Sequence, residues 1–399
     1  MKRRIGLLIS IIVFLGMSPC NHFNGLTFVS SGESTIALTK SGEPFEVSLE
    51  YSLDGGVWQP YTIGETISLS DGENVMFRAG GVGNDRFSST TGDYYYFKIS
   101  GKLNAKGSVM SLLSRDCSAD SVPEYAFTFL FWSCDGLMSA PLLPANTLSN
   151  QCYNSMFSGC KSLIEAPVLP ATELAVYCYS EMFEGCKSLT EAPELPATEL
   201  AQGCYDTMFE GCTSLTEAPA LPATELAFGC YENMFRRCKS LTEAPELPAI
   251  KLTKRCYAWM FSGCTSLTEA PELPATELAE SCYSYMFNSC TSLTMAPVLP
   301  ATNLVECCYF SMFSGCTNLT KAPFLPATEL ALKCYSKMFK GCTKLNYVKA
   351  LFTDEYSEKT TYSWLSGVSS TGTFVKSKEA KLDVRGVSGI PEGWIVVTE

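Results

Sequence analysis

Cys204-Tyr-Asp-Thr-Met-Phe-Glu-Gly-Cys-Thr-Ser-Leu-Thr-Glu-Ala-Pro-Ala-Leu-Pro-Ala-Thr-Glu-Leu-Ala-Phe-Gly229 is one unit of a repeat that fills the middle of the chain. Its Cys-Tyr pair returns at Cys152, Cys178, Cys204, Cys230, Cys256, Cys282, Cys308 and Cys334, always 26 residues apart. A second cysteine follows each by eight residues, from Cys160 to Cys342. A degenerate first copy begins at Ala126, with Phe131 and Cys134 in register. A fixed period of about 20–50 residues means stacked units that bury each other's faces, and such a stack is usually a binding surface.

Within the unit, Leu200, Cys204 and Met208 recur every fourth residue, as do Ala201, Tyr205 and Phe209. That spacing reads as one broad apolar helix face. Thr198 serves as its N-cap, Glu199 meets the positive end of the dipole, and Gly211 fits the left-handed position beyond the end. Arg237 and Ser289 replace that glycine in two copies. Leu215-Thr-Glu-Ala218 then reads as a short strand pairing in parallel with its copies, cut off by Pro219, which cannot donate to a ladder. The predicted fold class is therefore an α/β repeat solenoid of about nine repeats, leucine-rich-repeat-like, preceded by an all-β sandwich-like domain and closed by a β-rich C-terminal cap.

The segments around the repeats are read as follows. Residues 1–20 form a signal peptide: Lys2, Arg3 and Arg4, then an apolar stretch from Ile5 to Met17 too short to span a bilayer. Gly16-Met-Ser-Pro-Cys20 is a lipobox-like run, which makes Cys20 the lipidation candidate. Residues 24–100 carry short alternating strands joined at Asp54-Gly55-Gly56 and Asp71-Gly72, the pattern of a β-sandwich. Residues 101–125 are a linker and N-terminal cap, 126–350 the solenoid, and 351–399 a C-terminal cap.

Met-Phe-x-Gly-Cys-Thr-Ser-Leu-Thr resembles the BspA-like leucine-rich repeats, with Phe209, Cys212 and Leu215 and their copies at the Phe-x-x-Cys-x-x-Leu core. The repeat departs from the usual unit in being longer, with an Ala-Pro-x-Leu-Pro insert such as Ala192 to Pro196. The resemblance implies a surface protein of the kind carried by Bacteroides-type anaerobes, adhering to host or bacterial molecules. It covers residues 126–350.

Composition narrows the chemistry. A net charge of −12 argues against nucleic acid and against docking on an anionic membrane, so a membrane is reached only through a lipid anchor. The single histidine, His22, lies beside the leader, which removes histidine catalysis and histidine-ligated metal from the body. No cofactor and no enzymatic activity are expected; Asp354, Glu355 and Glu358, the one modest acidic cluster, read as a solvated loop. Twenty cysteines in an exported chain suggest disulfides. Eight helical residues span about 12 Å, beyond the reach of a bridge, so buried thiol columns are preferred over disulfides or metal.

Two surfaces remain as binding candidates. Glu165, Glu191, Glu217, Glu243 and Glu269 share one repeat position and make an acidic stripe that ends at Met295 and Lys321. A basic partner or a cation would suit it, although a solvated face that deters edge aggregation is the preferred reading. The residues just before each Cys-Tyr change from copy to copy: Tyr177, Gln202, Phe228, Lys254, Arg255, Glu280, Glu306 and Lys333. The expected partner is an extracellular protein or glycan bound along the solenoid. A rival reading is a carbohydrate-capturing lipoprotein that binds through Trp58, Tyr61 and Tyr94 to Tyr96. The chain is expected on the cell surface or as an outer-membrane lipoprotein, otherwise secreted.

Overall fold

The computed structural model describes residues 25–399 except 91, 118–119, 354–356, 358 and 381–383. Cys20, Asp354, Glu355 and Glu358 lie outside the described residues. Eight strands come first: β1 (Leu26–Ser30), β2 (Ser34–Ser41), β3 (Leu49–Leu53), β4 (Gln59–Tyr61), β5 (Ile67–Leu69), β6 (Asn74–Ala79), β7 (Tyr94–Ser100) and β8 (Leu103–Lys106). A 3₁₀ turn, Val109–Leu112, follows, then β9 (Ser121–Val122), β10 (Leu137–Ser139) and β11 (Thr147–Leu148). The chain closes with β12 (Tyr347–Ala350), β13 (Gly372–Lys376) and β14 (Trp394–Thr398), a parallel sheet.

The repeats form a β-solenoid, and the helix expected in each repeat is absent: among the described residues the 3₁₀ turn is the one helical piece. The α/β reading is corrected accordingly. From Tyr177 to Cys186 the backbone alternates between two bonding modes. Ser180, Met182, Glu184 and Cys186 donate to the carbonyl three residues back, closing turns. Tyr177, Tyr179, Glu181, Phe183 and Gly185 donate instead to Gln202, Cys204, Asp206, Met208 and Glu210 of the next rung. Every fourth residue has positive φ, as at Tyr177, Glu181 and Gly185, the conformation a type II turn needs at its third position. The segment is a ribbon of turns stitched to its neighbours.

The cause lies in the spacing itself. An α-helix advances 3.6 residues per turn, so a strict four-residue repeat drifts by about 40° per step and soon leaves any one face. A ribbon of turns repeats at four without drift. The left-handed position at Gly211 is correctly placed, but it closes a turn. Its counterparts Arg237 and Ser289 take φ 61 and 60. An L-residue there costs about 1–2 kcal/mol that glycine avoids. Arg237→Gly is therefore expected to raise stability by about 0.5–1 kcal/mol, after allowing for glycine's freedom in the unfolded chain. The Arg237–Glu210 contact it removes is long, at 3.6 Å, its arginine is exposed, and Arg236 still holds Glu210 at 3.3 Å. A urea midpoint that stays the same or falls would refute this account.

Inside the ribbon, each rung contributes a tyrosine and a phenylalanine. The tyrosines from Tyr153 to Tyr335 and the phenylalanines from Phe157 to Phe339 are fully buried and stack on their copies, as in Tyr231–Tyr257 at 5.9 Å and Phe209–Phe235 at 5.7 Å. Both cysteine columns are free, buried thiols. Cys160, Cys186, Cys212 and their copies donate through Sγ to the phenylalanine carbonyl one rung back, at about 3.0 Å in Cys212 to Phe183. Burial pushes the thiols up, to about 12 at Cys178 and Cys290, so they act as small hydrophobes with one weak donor.

The N-terminal strands form two sheets, ordered β10-β8-β1-β6-β3-β4 and β5-β2-β7. They continue the stacking of the solenoid. Phe97 of β7 lies 5.5 Å from Phe131 at 13°, and Phe87 lies 6.3 Å from Phe127 at 14°. Cys134 Sγ donates to Phe97 O as later thiols donate to a preceding rung, and Phe97 N donates to Leu130 O. Phe87 and Phe97 thus imitate the aromatic pair of a rung. At the other end the ladder runs on through Tyr362, Trp364 and Ser366, and the buried Trp364 stacks over Tyr335.

Candidate functional site

The turn ribbon has three kinds of outward position, those aligned with Gly203, with Asp206 and Thr207, and with Glu210; small residues there, such as Gly203, Ser155 and Ser311, are buried, and larger ones reach the surface. Reading each column along the stack gives the chemistry of this face. The column through Thr207 runs Ser155, Glu181, Thr207, Asn233, Trp259, Tyr285, Ser311, Lys337 and Ser363. The column through Glu210 runs Ser158, Glu184, Glu210, Arg236, Ser262, Asn288, Ser314, Lys340 and Ser366. The face is acidic toward the N-terminus, aromatic in the middle and basic toward the C-terminus.

The aromatic part is a groove of about 470 Å³, a volume within the range of ligand-sized sites. Trp259 stacks on Tyr285 at 3.7 Å and 9°, and Phe310 meets Tyr285 edge-on at 5.2 Å. Arg236 lies 5.1 Å over Trp259, and Lys337 lies 5.5 Å over Phe310. Cys307, half-exposed, also lines the groove. Arg255, Trp259, Tyr285, Lys333 and Lys337 all hold φ between 54 and 61. Glycine or asparagine does this at the same positions in Gly203, Gly229 and Asn233. Bulky side chains kept in a conformation that smaller residues adopt more readily are an observation that points to function.

The acidic part is partly buried. Asp206 is pushed up to about 7, first by burial, with Glu232 adding to the rise against the hydrogen bonds from Thr207 and Asn233. Burial also raises Glu184, and the charge of Glu181 adds to it. Glu210 meets Arg236 at 3.3 Å and Arg237 at 3.6 Å, and Glu232 pairs with Arg255. Glu181 and Glu184 accept hydrogen bonds from Ser155 at 3.0 Å and Ser158 at 3.2 Å.

The sequence-predicted residues fall in several places. Arg255 and Lys333 line the groove. Tyr177 sits beneath Gly203 and accepts a hydrogen bond from Gln202. Lys254 and Glu280 pair with each other at 2.9 Å, and Phe228 and Glu306 are exposed beside the ribbon. Glu165, Glu191 and Glu217 form successive parallel bridges, beginning from Ser139. Glu243 and Glu269 are exposed on the same line, and Glu269 bridges Met295. A second glutamate ladder, Glu173, Glu199 and Glu225, runs alongside; its spacing is equally visible in the sequence, but there Glu199 reads as a helix-start residue.

The aromatics proposed for sugar capture do not share a platform. Tyr61 is buried, with its hydroxyl bonded to Leu38 N and Glu65 O. Tyr95 is buried against Phe45. Arg78 covers Trp58 at 4.0 Å, and Tyr94 and Tyr96 pack on Phe129 and Trp132 of the first rung. Trp259, Tyr285, Phe310 and Lys337 are not singled out by a helical pattern, although their repeat positions vary between copies as the pair before each Cys-Tyr does.

A sequence model of the BspA type leucine rich repeat region matches residues 122–251 and 230–363, with six copies. Among solved structures, a leucine rich cell surface protein from Faecalibacterium prausnitzii A2-165 is similar at 16% identity, covering 73% of this chain and 89% of that one, with a TM-score of 0.34. None of the curated proteins matches significantly. No helix among the described residues is long and apolar enough to cross a membrane.

Proposed function

The chain belongs to the BspA-type leucine-rich repeat family, and from that premise we propose that it is an exported surface protein that binds macromolecules through the turn face of its solenoid. The role is adhesion, without catalysis, and a lipid on Cys20 holds the chain to the cell. The observation that carries this reading is the contrast between columns. The buried positions are constant from rung to rung, while the turn face changes at nearly every rung and collects strained aromatic and basic residues in one groove. A rigid scaffold of this kind loses little freedom on binding, so many modest contacts add up.

The test is binding of the full chain to a panel of extracellular-matrix proteins and glycans, compared with Tyr285→Asn and Phe310→Ser. Asparagine and serine occupy those columns at Asn233 and Ser284, so neither change should disturb the stack. At least a tenfold loss of affinity is expected, as for a central aromatic anchor. A ligand bound equally well by both variants would remove the turn face from the function. Truncating residues 24–100 is the poorer test, because it strips Phe87 and Phe97 from the first rung.

A further inference from the structure

Two columns of the turn face, those through Thr207 and Glu210, carry opposite charges at their two ends and are complementary when reversed end for end. In the column through Gly203 the central Arg255 meets its own copy, each already neutralised by Glu232 of its own chain. Take Trp259 as the centre of its column and pair positions at equal distances on either side. Glu181 then faces Lys337, and Asn233 faces Tyr285. In the neighbouring column, centred on Ser262, Glu184 faces Lys340. A two-fold axis level with this rung, lying between the two copies parallel to their faces and perpendicular to the stack, reverses the order of the rungs in this way. Such an axis makes an isologous contact, in which each pair forms twice.

The ion pairs within one chain show which charges are left over. In the middle of the face, Glu210 is taken by Arg236 and Arg237, and Glu232 by Arg255. At its two ends, Glu181 and Glu184 have no cation within 4.0 Å among the described residues, and Lys337 and Lys340 have no carboxylate. The unpaired carboxylates and the unpaired ammonium groups sit three rungs from the centre on opposite sides. Trp259 lies at the middle, where interface anchors concentrate, and it puts an indole at a left-handed position that asparagine holds one rung earlier at Asn233.

We propose that the turn face is a homophilic docking surface, and that its partner is a second copy of this chain bound antiparallel about Trp259. The contact spans about seven rungs of a narrow ribbon, on the order of 1,000 Å² in total, the lower end for a specific complex. It is weak between free molecules and gains strength when many copies are displayed on facing surfaces. This rests on the adhesion reading and deepens it by naming the partner as the same protein on a neighbouring cell.

Sedimentation equilibrium of the full chain tests it. The expected result is a monomer–dimer equilibrium that weakens as salt is raised, because the end pairs are solvated. Glu181→Lys alone and Lys337→Glu alone should each weaken it at least tenfold, since each sets like charges opposite at two places. An equimolar mixture of the two variants should recover association, because the lysine introduced at position 181 of one chain then meets the glutamate introduced at position 337 of the other. A chain that stays monomeric, a dimer indifferent to both variants, or a mixture that does not recover would each overturn the proposal. Those results would leave the matrix and glycan panel untouched, so failure of homophilic docking is distinguishable from failure of the adhesion reading.

Discussion

Phe97→Ala is expected to destabilise the protein by about 3–5 kcal/mol, the range for removing a fully buried phenylalanine. The loss should appear first at the N-terminal rungs. Phe97 packs on Phe28 at 5.2 Å, on Phe77 at 5.3 Å and on Phe131 at 5.5 Å. It is therefore both the centre of the N-terminal core and the last plate of the solenoid's phenylalanine stack. Stacked repeats are stabilised by neighbour interfaces, so an end unit that loses its neighbour frays. Phe235→Ala in mid-stack removes a similar volume but leaves rungs on both sides. Hydrogen exchange distinguishes the two. In Phe97→Ala, amides of residues 127–157 should lose protection ahead of those near 256–290, and in Phe235→Ala they should not. Equal loss along the whole array in both variants would mean that Phe87 and Phe97 are not a cap in any energetic sense.

This cap was not legible in the sequence. Tyr94-Tyr-Tyr-Phe-Lys-Ile99 alternates like any strand, and no period connects Phe97 with Phe131. The solenoid was legible because a 26-residue period is a long-range signal that needs no local interpretation. The buried thiols and the parallel bridges at Glu165, Glu191 and Glu217 followed from it. The helix failed for a local reason. Apolar residues at i and i+4 suit both one side of a helix and a ribbon of four-residue turns. The two differ in drift and in φ. Gly203, Thr207 and Gly211 stand where the ribbon turns left-handed, and two glycines with a β-branched residue between them are poor material for a helix interior. Once the ribbon is known, its outward columns can be read. Glu181 and Lys337 share one repeat position by the period alone, but only the ribbon turns that position outward.

Asp206→Asn is expected to stabilise the protein at pH 8 by on the order of 2–4 kcal/mol and to flatten its pH dependence. Asp206 is pushed up to about 7, chiefly by burial, while its unfolded-state value stays near the ordinary carboxylate range. The folded chain thus holds a proton that the unfolded chain has released between roughly pH 4 and pH 7. Stability from this group is present at acid pH and is lost as pH rises toward 7. Between pH 6 and pH 8 the loss from Asp206 alone comes to about 1.4 kcal/mol. That window also stays clear of the isoelectric point near 4.8, where the chain would precipitate. Glu184 and Glu232, both raised by burial, add to the same trend, with Arg255 opposing it at Glu232. Asparagine stands in this column at Asn154, and it can still accept from Thr207 as Asp206 does at 2.8 Å. The measurement is the urea midpoint of both proteins at pH 6 and pH 8. Wild type should fall across this range while Asp206→Asn falls by clearly less. Parallel slopes would mean that the Asp206 carboxylate is well solvated when ionised.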